Sequence, residues 1–281
     1  MKARRTLHER LSAKRALLGL LQTHPNPVLA EMAGICGYDF LILDDEHGVF
    51  SGIDHLQTFQ AIGFTDIAAF VRLRGHDVQA LGRYLDMGAD GIVVPDVTSA
   101  EQATTLVRAM DYPPAGTRGF GAAAHRATRY GMDLAAHFQR PRGGAFLVVL
   151  IESALGVANV DEILAVDGVD GAFVGPSDLS ASLGCAGDFS SVAYAEALAK
   201  IESAASARGK VFGTGPHPGY PIETLLARGH RLLILGTDMP LIREAMCAQV
   251  ANASGLLLAD QSSSDAEVEA LQSNPASRRP A

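Results

Sequence analysis

Two acidic residues in this chain stand where a divalent cation could use them. Glu152 closes the apolar run FLVVLIE (146–152), and Asp178 follows GAFVG (171–175) through Pro176 and Ser177. If those runs are neighbouring parallel strands, their ends lie about 5 Å apart. Two hard carboxylates with no His or Cys beside them suit an oxygen-preferring ion such as Mg2+ or Mn2+ and leave positions open to water and substrate. The plainer alternative is that each caps a helix or pairs with an arginine. His47 ends the cluster Asp44-Asp45-Glu46-His47. An imidazole there could take or give a proton near neutral pH, or it could simply be satisfied by a neighbouring carboxylate. Arg72 ends IAAFVRL (67–73), where a guanidinium could grip a carboxylate, steady a developing oxyanion, or form a salt bridge to the acidic cluster. Asp86, late in RYLDMGADG, reads by itself as a solvated charge.

The elements that must carry these residues are legible as short apolar runs: 16–21, 40–43, 67–73, 91–95, 146–152, 171–175, 210–215 and 231–236. Each is rich in Val, Ile, Leu or Phe and bounded by Gly, Pro or Asp, as strands buried on both faces are. Amphipathic stretches separate them, among them 25–37, 77–89, 99–110 and 192–209, the last ending at Gly209 as a natural C-cap. Eight strand–helix units predict an α/β fold, a closed (β/α)8 TIM barrel, whose active site lies at the C-terminal strand ends. An open doubly wound sheet is the alternative, but no GxGxxG follows the first strand. The connection 113–143, rich in Gly, Ala and Arg, is long enough to predict a role in function or assembly.

Composition sets the outer limits. A chain of 281 residues with 48% hydrophobic content suffices for one large core, expected over 1–255. The Ser-, Ala- and acid-rich segment 256–281 has no strand pattern and is expected to stay disordered. A net charge of −8 speaks against nucleic acid as a partner. No apolar run reaches the roughly 18 residues that span a bilayer, so no membrane partner is expected. The basic and then apolar N-terminus is interrupted by Glu9 and Lys14 and reads as the approach to a first strand, giving a cytoplasmic expectation. Cys36, Cys185 and Cys247 are too scattered for a zinc or disulfide framework.

Taken together, GYDFLILDDEHGVF (37–50), VRL (71–73), LDMGADGIVVPDVTSAEQA (85–103), YPPAGTRGFGAAAHRATRYG (112–131), LIESALGVANVDEI (150–163) and VDGAFVGPSDLSASLG (169–184) resemble the HpcH/HpaI family of class II pyruvate aldolases, a branch of the phosphoenolpyruvate/pyruvate barrels. The resemblance covers roughly residues 15–250. It implies a carbon–carbon lyase that makes or cleaves a 4-hydroxy-2-keto acid, similar to the 4-hydroxy-2-oxoheptanedioate and 2-dehydro-3-deoxyglucarate aldolases, with pyruvate and an aldehyde as partners. It implies Glu152 and Asp178 as ligands of Mg2+, Mn2+ or Co2+, Arg72 beside the enolate oxygen, and the amides of Ser177 and Asp178 on the pyruvate carboxylate. His47 would be the catalytic histidine, working through a water steered by Asp86. It also implies a homo-oligomer, a hexamer or trimer of dimers, with a swapped C-terminal helix in 239–259 and the loop 118–129 at the interface. No lysine closes a strand run, which speaks against a Schiff-base aldolase.

Three positions depart from the family pattern: Asp45 stands for a usual glycine, Leu150 for a polar residue, and Gly215 for a bulky one with His217 close by. Asp45 would either hold the proton of His47 more tightly or point to solvent. Gly215 and His217 would fit a larger or more polar acceptor, unless His217 faces solvent on a Pro-flanked turn. The remaining alternatives are an oxaloacetate-type decarboxylase, a biosynthetic enzyme that turns the same enolate on another electrophile, and an inactive barrel scaffold.

Overall fold

Alternation along each strand decides where every side chain of the barrel goes. The computed structural model describes residues 7–13 and 16–254. Eight parallel strands close in sequence order: β1 (Leu17–Gln22), β2 (Phe40–Asp44), β3 (Ala68–Arg72), β4 (Gly91–Val94), β5 (Phe146–Ile151), β6 (Gly171–Val174), β7 (Val211–Thr214) and β8 (Leu232–Thr237). Phe40 and Ile42 of β2, Phe70 of β3, Val148 and Leu150 of β5 and Phe173 of β6 point inward and form one cluster. Leu41, Leu43, Val71, Val149 and Ile151 point outward to the helices and form a second. Interdigitation inside the barrel needs glycine opposite phenylalanine: a Cβ on Gly91 would lie 2.3 Å from the Phe70 ring.

The helices of the barrel unit are α1 (Leu7–Ala13), α2 (Pro27–Ile35), α3 (Gly52–Ala61), α4 (Val78–Met87), α5 (Ala100–Met110), α6 (Leu134–Gln139), α7 (Ala154–Ala158), α8 (Val160–Ala165), α9 (Pro176–Ser182), α10 (Val192–Ala207) and α11 (Ile222–Ala227). Local sequence sets their ends. Asp77 caps α4 by accepting the amides of Gln79 and Ala80, and Gly88, at φ 97°, ends it. Gly209, at φ 62°, follows α10, and the Lys210 amide returns to the Ala205 carbonyl, the closure a C-terminal glycine allows. The long connection 113–143 is built of short turns: 3-10 segments at Ala122–Ala124 and Arg126–Thr128, then α6.

Helix α1 carries no signal in the strand pattern. Its Leu7 and Leu11 join the cluster inside the barrel, and Arg10 pairs with buried Asp39 at 2.8 Å while donating to the Asp66 carbonyl at 2.7 Å. Asp39 and Asp66 both precede strands, so α1 closes the N-terminal end and leaves the other end for chemistry. The barrel unit ends at Asp238, and residues from Met239 form a second unit. There, residues 239–254 are helical with side chains exposed along nearly the whole length. The expected tail 256–281 and the last residues of 239–259 lie outside the described residues. No helix among the described residues is long and apolar enough to cross a membrane.

Candidate active site

Strand β2 lies beside β3 with Asp44 in register with Arg72, so the two inward side chains meet at the C-terminal rim. Asp44 is fully buried and grips the guanidinium with both oxygens, Oδ1 from Nε at 2.8 Å and Oδ2 from Nη2 at 2.7 Å. The same Oδ1 accepts the amides of Glu46 at 3.1 Å and His47 at 3.4 Å, so one carboxylate shapes the turn and aims the arginine. Glu46 Oε2 stands 3.3 Å from Arg72 Nε and 3.8 Å from His47 Nε2. The His47 side chain is 67% exposed.

Glu152 follows β5 and is 8% exposed. Its Oε1 accepts the amide of Asp96 at 2.9 Å. Asp96 sits at φ 42°, a left-handed backbone that a non-glycine residue rarely adopts, and the Ser153 hydroxyl donates to its carboxylate at 2.7 Å. Opposite, a Cβ on Gly175 would lie 2.4 Å from Glu152 Oε2, so only glycine leaves the carboxylate its place. Burial, reinforced by the negative charges of Glu46 and Asp178, pushes the Glu152 carboxyl up to about 7 against the opposing Asp96 amide and Arg72. Burial also raises Glu46, with Asp44 and Asp178 adding and Arg72 and His47 opposing. Glu46, Glu152 and Asp178 therefore share one electrostatic space, and the arginine within it is already engaged by Asp44.

Asp178 is in the first turn of α9. Pro176 has no amide proton and the first bond within the helix is Leu179 N to the Gly175 carbonyl at 2.9 Å, which leaves the amides of Ser177 and Asp178 without a helical partner. The donor set fits a hard divalent cation: carboxylate oxygens, with Glu152 raised by burial, next to backbone donors. Among the described residues no three His, Cys, Asp or Glu side chains are arranged to hold a metal together. A pair of carboxylates such as Glu152 and Asp178 would suit an ion that keeps much of its water, as Mg2+ does.

Glu152, Asp178, Arg72, His47 and Gly215 thus gather at one end of the barrel, whereas Asp86 goes elsewhere. Helix α4 leaves the C-terminal end of β3 and returns to the start of β4, so Asp86, one residue from its end, lies at the opposite end. There its carboxylate pairs with Arg118 Nη2 at 2.6 Å and His125 Nδ1 at 2.8 Å. Within one chain Asp86 does not reach His47. Asp45 meets neither expectation: it is 7% exposed, turned away from His47, and accepts the Tyr84 hydroxyl at 2.7 Å.

His217 is neither a solvent-facing residue nor a free donor. Its Nδ1 donates to the Gly215 carbonyl at 2.8 Å, and its Nε2, 2.8 Å from the Tyr194 hydroxyl, accepts in return. The ring packs against Phe189 and Tyr220, and burial lowers its pKa. Leu150 faces inward, two residues before Glu152 on the same strand line. Two residues of the site had no role on sequence grounds. Glu46 was hidden in an acidic run, and Asp96, in VVPD, carried only its position after a strand.

The family profile for HpcH/HpaI aldolase/citrate lyase matches residues 18–245. The chain is 35% identical over 235 residues to the 5-keto-4-deoxy-D-glucarate aldolase of Shigella dysenteriae serotype 1, covering 84% of this chain and 91% of that one. It is 36% identical over 246 residues to the hydroxypyruvate/pyruvate aldolase of Delftia acidovorans, covering 87% and 91%. The crystal structure of an HpcH/HpaI aldolase/citrate lyase family protein from Burkholderia cenocepacia J2315 superposes with a TM-score of 0.82 at 29% identity, covering 88% of this chain and 98% of that one. A closed eight-stranded barrel, a rim of carboxylates around one oriented arginine, and a profile match across the whole barrel agree: the chain belongs to the HpcH/HpaI aldolase/citrate lyase family.

Proposed function

We propose that this protein is a metal-dependent aldolase that cleaves or forms a 4-hydroxy-2-keto acid, with pyruvate and an aldehyde as the other reactants. The observation that carries the reading is the crowding of Glu46, Glu152 and Asp178 around an arginine already neutralised by Asp44, a site with negative charge to spare. Glu152 and Asp178 would hold Mg2+, Mn2+ or Co2+. When bound, such an ion polarises the keto oxygen and makes the neighbouring C–H bonds more acidic.

The rest falls to the chain itself. Asp44 and Glu46 occupy Nε and Nη2 of Arg72, which leaves Nη1 to donate to an oxyanion without reorientation. The free amides of Ser177 and Asp178 receive the substrate carboxylate. His47 Nε2, open to water and flanked by Glu46, takes a methyl proton of pyruvate in synthesis and gives one to the new C4 hydroxyl; in cleavage it takes the hydroxyl proton and returns one to the methyl carbon. The alternation that buries Leu150 keeps water from beneath the site.

The reading includes an oligomer. Asp86 can meet His47 only across a subunit boundary, with Arg118 and the loop 118–129 beside it. The exposed helix 239–254, with Met246 and Val250 uncovered, and the exposed Val28, Met32 and Ile35 of α2 are apolar surfaces for a second copy. It also places the enzyme in the cytoplasm, where the free thiols of Cys36, Cys185 and Cys247 stay reduced. The test is release of pyruvate from 4-hydroxy-2-keto acids, measured with each of the three metals and with a chelator. Release that needs a metal supports the reading; absence of release across acceptor sizes, with every metal, overturns it.

A further inference from the structure

The acidic turn after β2 is anchored from two sides. Inward, Asp44 holds Arg72; outward, Asp45 Oδ2 accepts the hydroxyl of Tyr84, on α4, at 2.7 Å. Tyr84 is 3% exposed, and its ring lies 4.6 Å from the imidazole of His55 on α3. His55 is in turn fixed by the Ser51 carbonyl at 2.8 Å and lies 5.0 Å from the Phe50 ring. Arg74 adds a bond to the Asp45 carbonyl at 2.9 Å. Burial and the bond to Asp45 keep the Tyr84 hydroxyl protonated, so it remains a donor.

The position of Asp45 gives this bond its leverage. Asp45 stands between Asp44 and Glu46 where the chain bends after β2: its carboxylate faces Tyr84 on α4, while those of its two neighbours face Arg72. Those two residues are the ones that set Arg72, through contacts of 2.7, 2.8 and 3.3 Å, and Glu46 also flanks His47. A shift of the peptide at Asp45 would move the arginine's support and the histidine's neighbour at once. The turn is tied to a helix, α4, whose last turn carries Asp86, itself paired with Arg118 and His125.

We propose that Asp45 and Tyr84 are a positioning pair: their hydrogen bond holds the acidic turn so that Glu46 stays against Arg72 and His47, and it governs turnover instead of substrate affinity. The proposal rests on the aldolase reading for its kinetic arm only. Asp45→Ala and Tyr84→Phe should each lower kcat about tenfold with KM within about twofold, the size of one lost hydrogen bond to a charged group expressed in the transition state. The double variant should be no worse than either single one, because both remove the same contact. Asp45→Asn keeps an acceptor for the tyrosine and should retain kcat within about threefold. The structural arm does not depend on activity: in crystals of Tyr84→Phe the Glu46–Arg72 contact of 3.3 Å should lengthen. A turn that keeps its place in those crystals, or variants that melt earlier with unchanged kcat, overturns the proposal. A wild-type enzyme without aldolase turnover overturns the functional reading, and the pair is then judged by the crystals alone.

Discussion

Replacing Glu152 by glutamine should make the metal-free protein more stable at alkaline pH, although it removes a side chain from the proposed metal site. A carboxyl raised from 4.5 to about 7 by burial and by Glu46 and Asp178 is one whose charged form folding disfavours. The folded state is undisturbed below the unfolded value of 4.5, and stability is lost as pH rises through about 7. By pH 8 the loss amounts to about 3 kcal/mol. Glutamine has no charge to bury, and its oxygen can still accept the Asp96 amide. The gain should therefore approach about 3 kcal/mol at pH 8, or roughly 6–12 °C in Tm, and shrink to under about 1 kcal/mol at pH 5. Denaturant unfolding of both proteins at the two pH values, in the presence of a chelator, measures it. Added Mg2+ should stabilise the wild type and leave Glu152→Gln unmoved. A variant no more stable at pH 8, or equally stabilised at both pH values, would refute the claim that folding disfavours the charged form of Glu152.

Four further outcomes follow from the same geometry. Arg72→Lys keeps the charge but cannot match both Asp44 oxygens, and kcat/KM should fall about 100- to 1,000-fold in steady-state assays. Arg10→Ala removes the guanidinium from buried Asp39, which keeps the Leu18 amide at 3.0 Å, and should cost about 1.5–3 kcal/mol in denaturant unfolding with kinetics unchanged, because α1 closes the end away from the chemistry. Tyr194→Phe removes the donor to His217 and should cost about 1 kcal/mol while KM for the aldehyde stays constant, since the Gly215 carbonyl still holds the imidazole in place. His47→Ala should abolish aldol turnover yet spare decarboxylation of oxaloacetate, which requires no proton removal; equal loss of both would assign His47 another task.

The strands could be read because barrel strands are buried on both faces, and runs such as FLVVLIE admit few other fates. The rim residues followed, since a polar side chain that ends such a run has to face the open end. Partners were harder. The sequence places Asp86 late in a helix, but only the antiparallel return of α4 puts it at the far end with Arg118 and His125. Asp45 looked like a neighbour of His47 because adjacency in sequence hides alternation in space; its partner, Tyr84, is 39 positions away. His217 had no legible partner because Tyr194, on α10, lies 23 positions before it, and α1 was invisible because two leucines on one helical turn give too little periodicity.

Exchange of the methyl protons of pyruvate for deuterium tests the central claim most directly, because it isolates the first proton transfer from the choice of aldehyde. The account predicts exchange in wild-type protein with Mg2+, Mn2+ or Co2+, none with a chelator, and loss in both Glu152→Gln and Asp178→Asn. Exchange that continues undiminished with the chelator, or in protein carrying both substitutions, would contradict it.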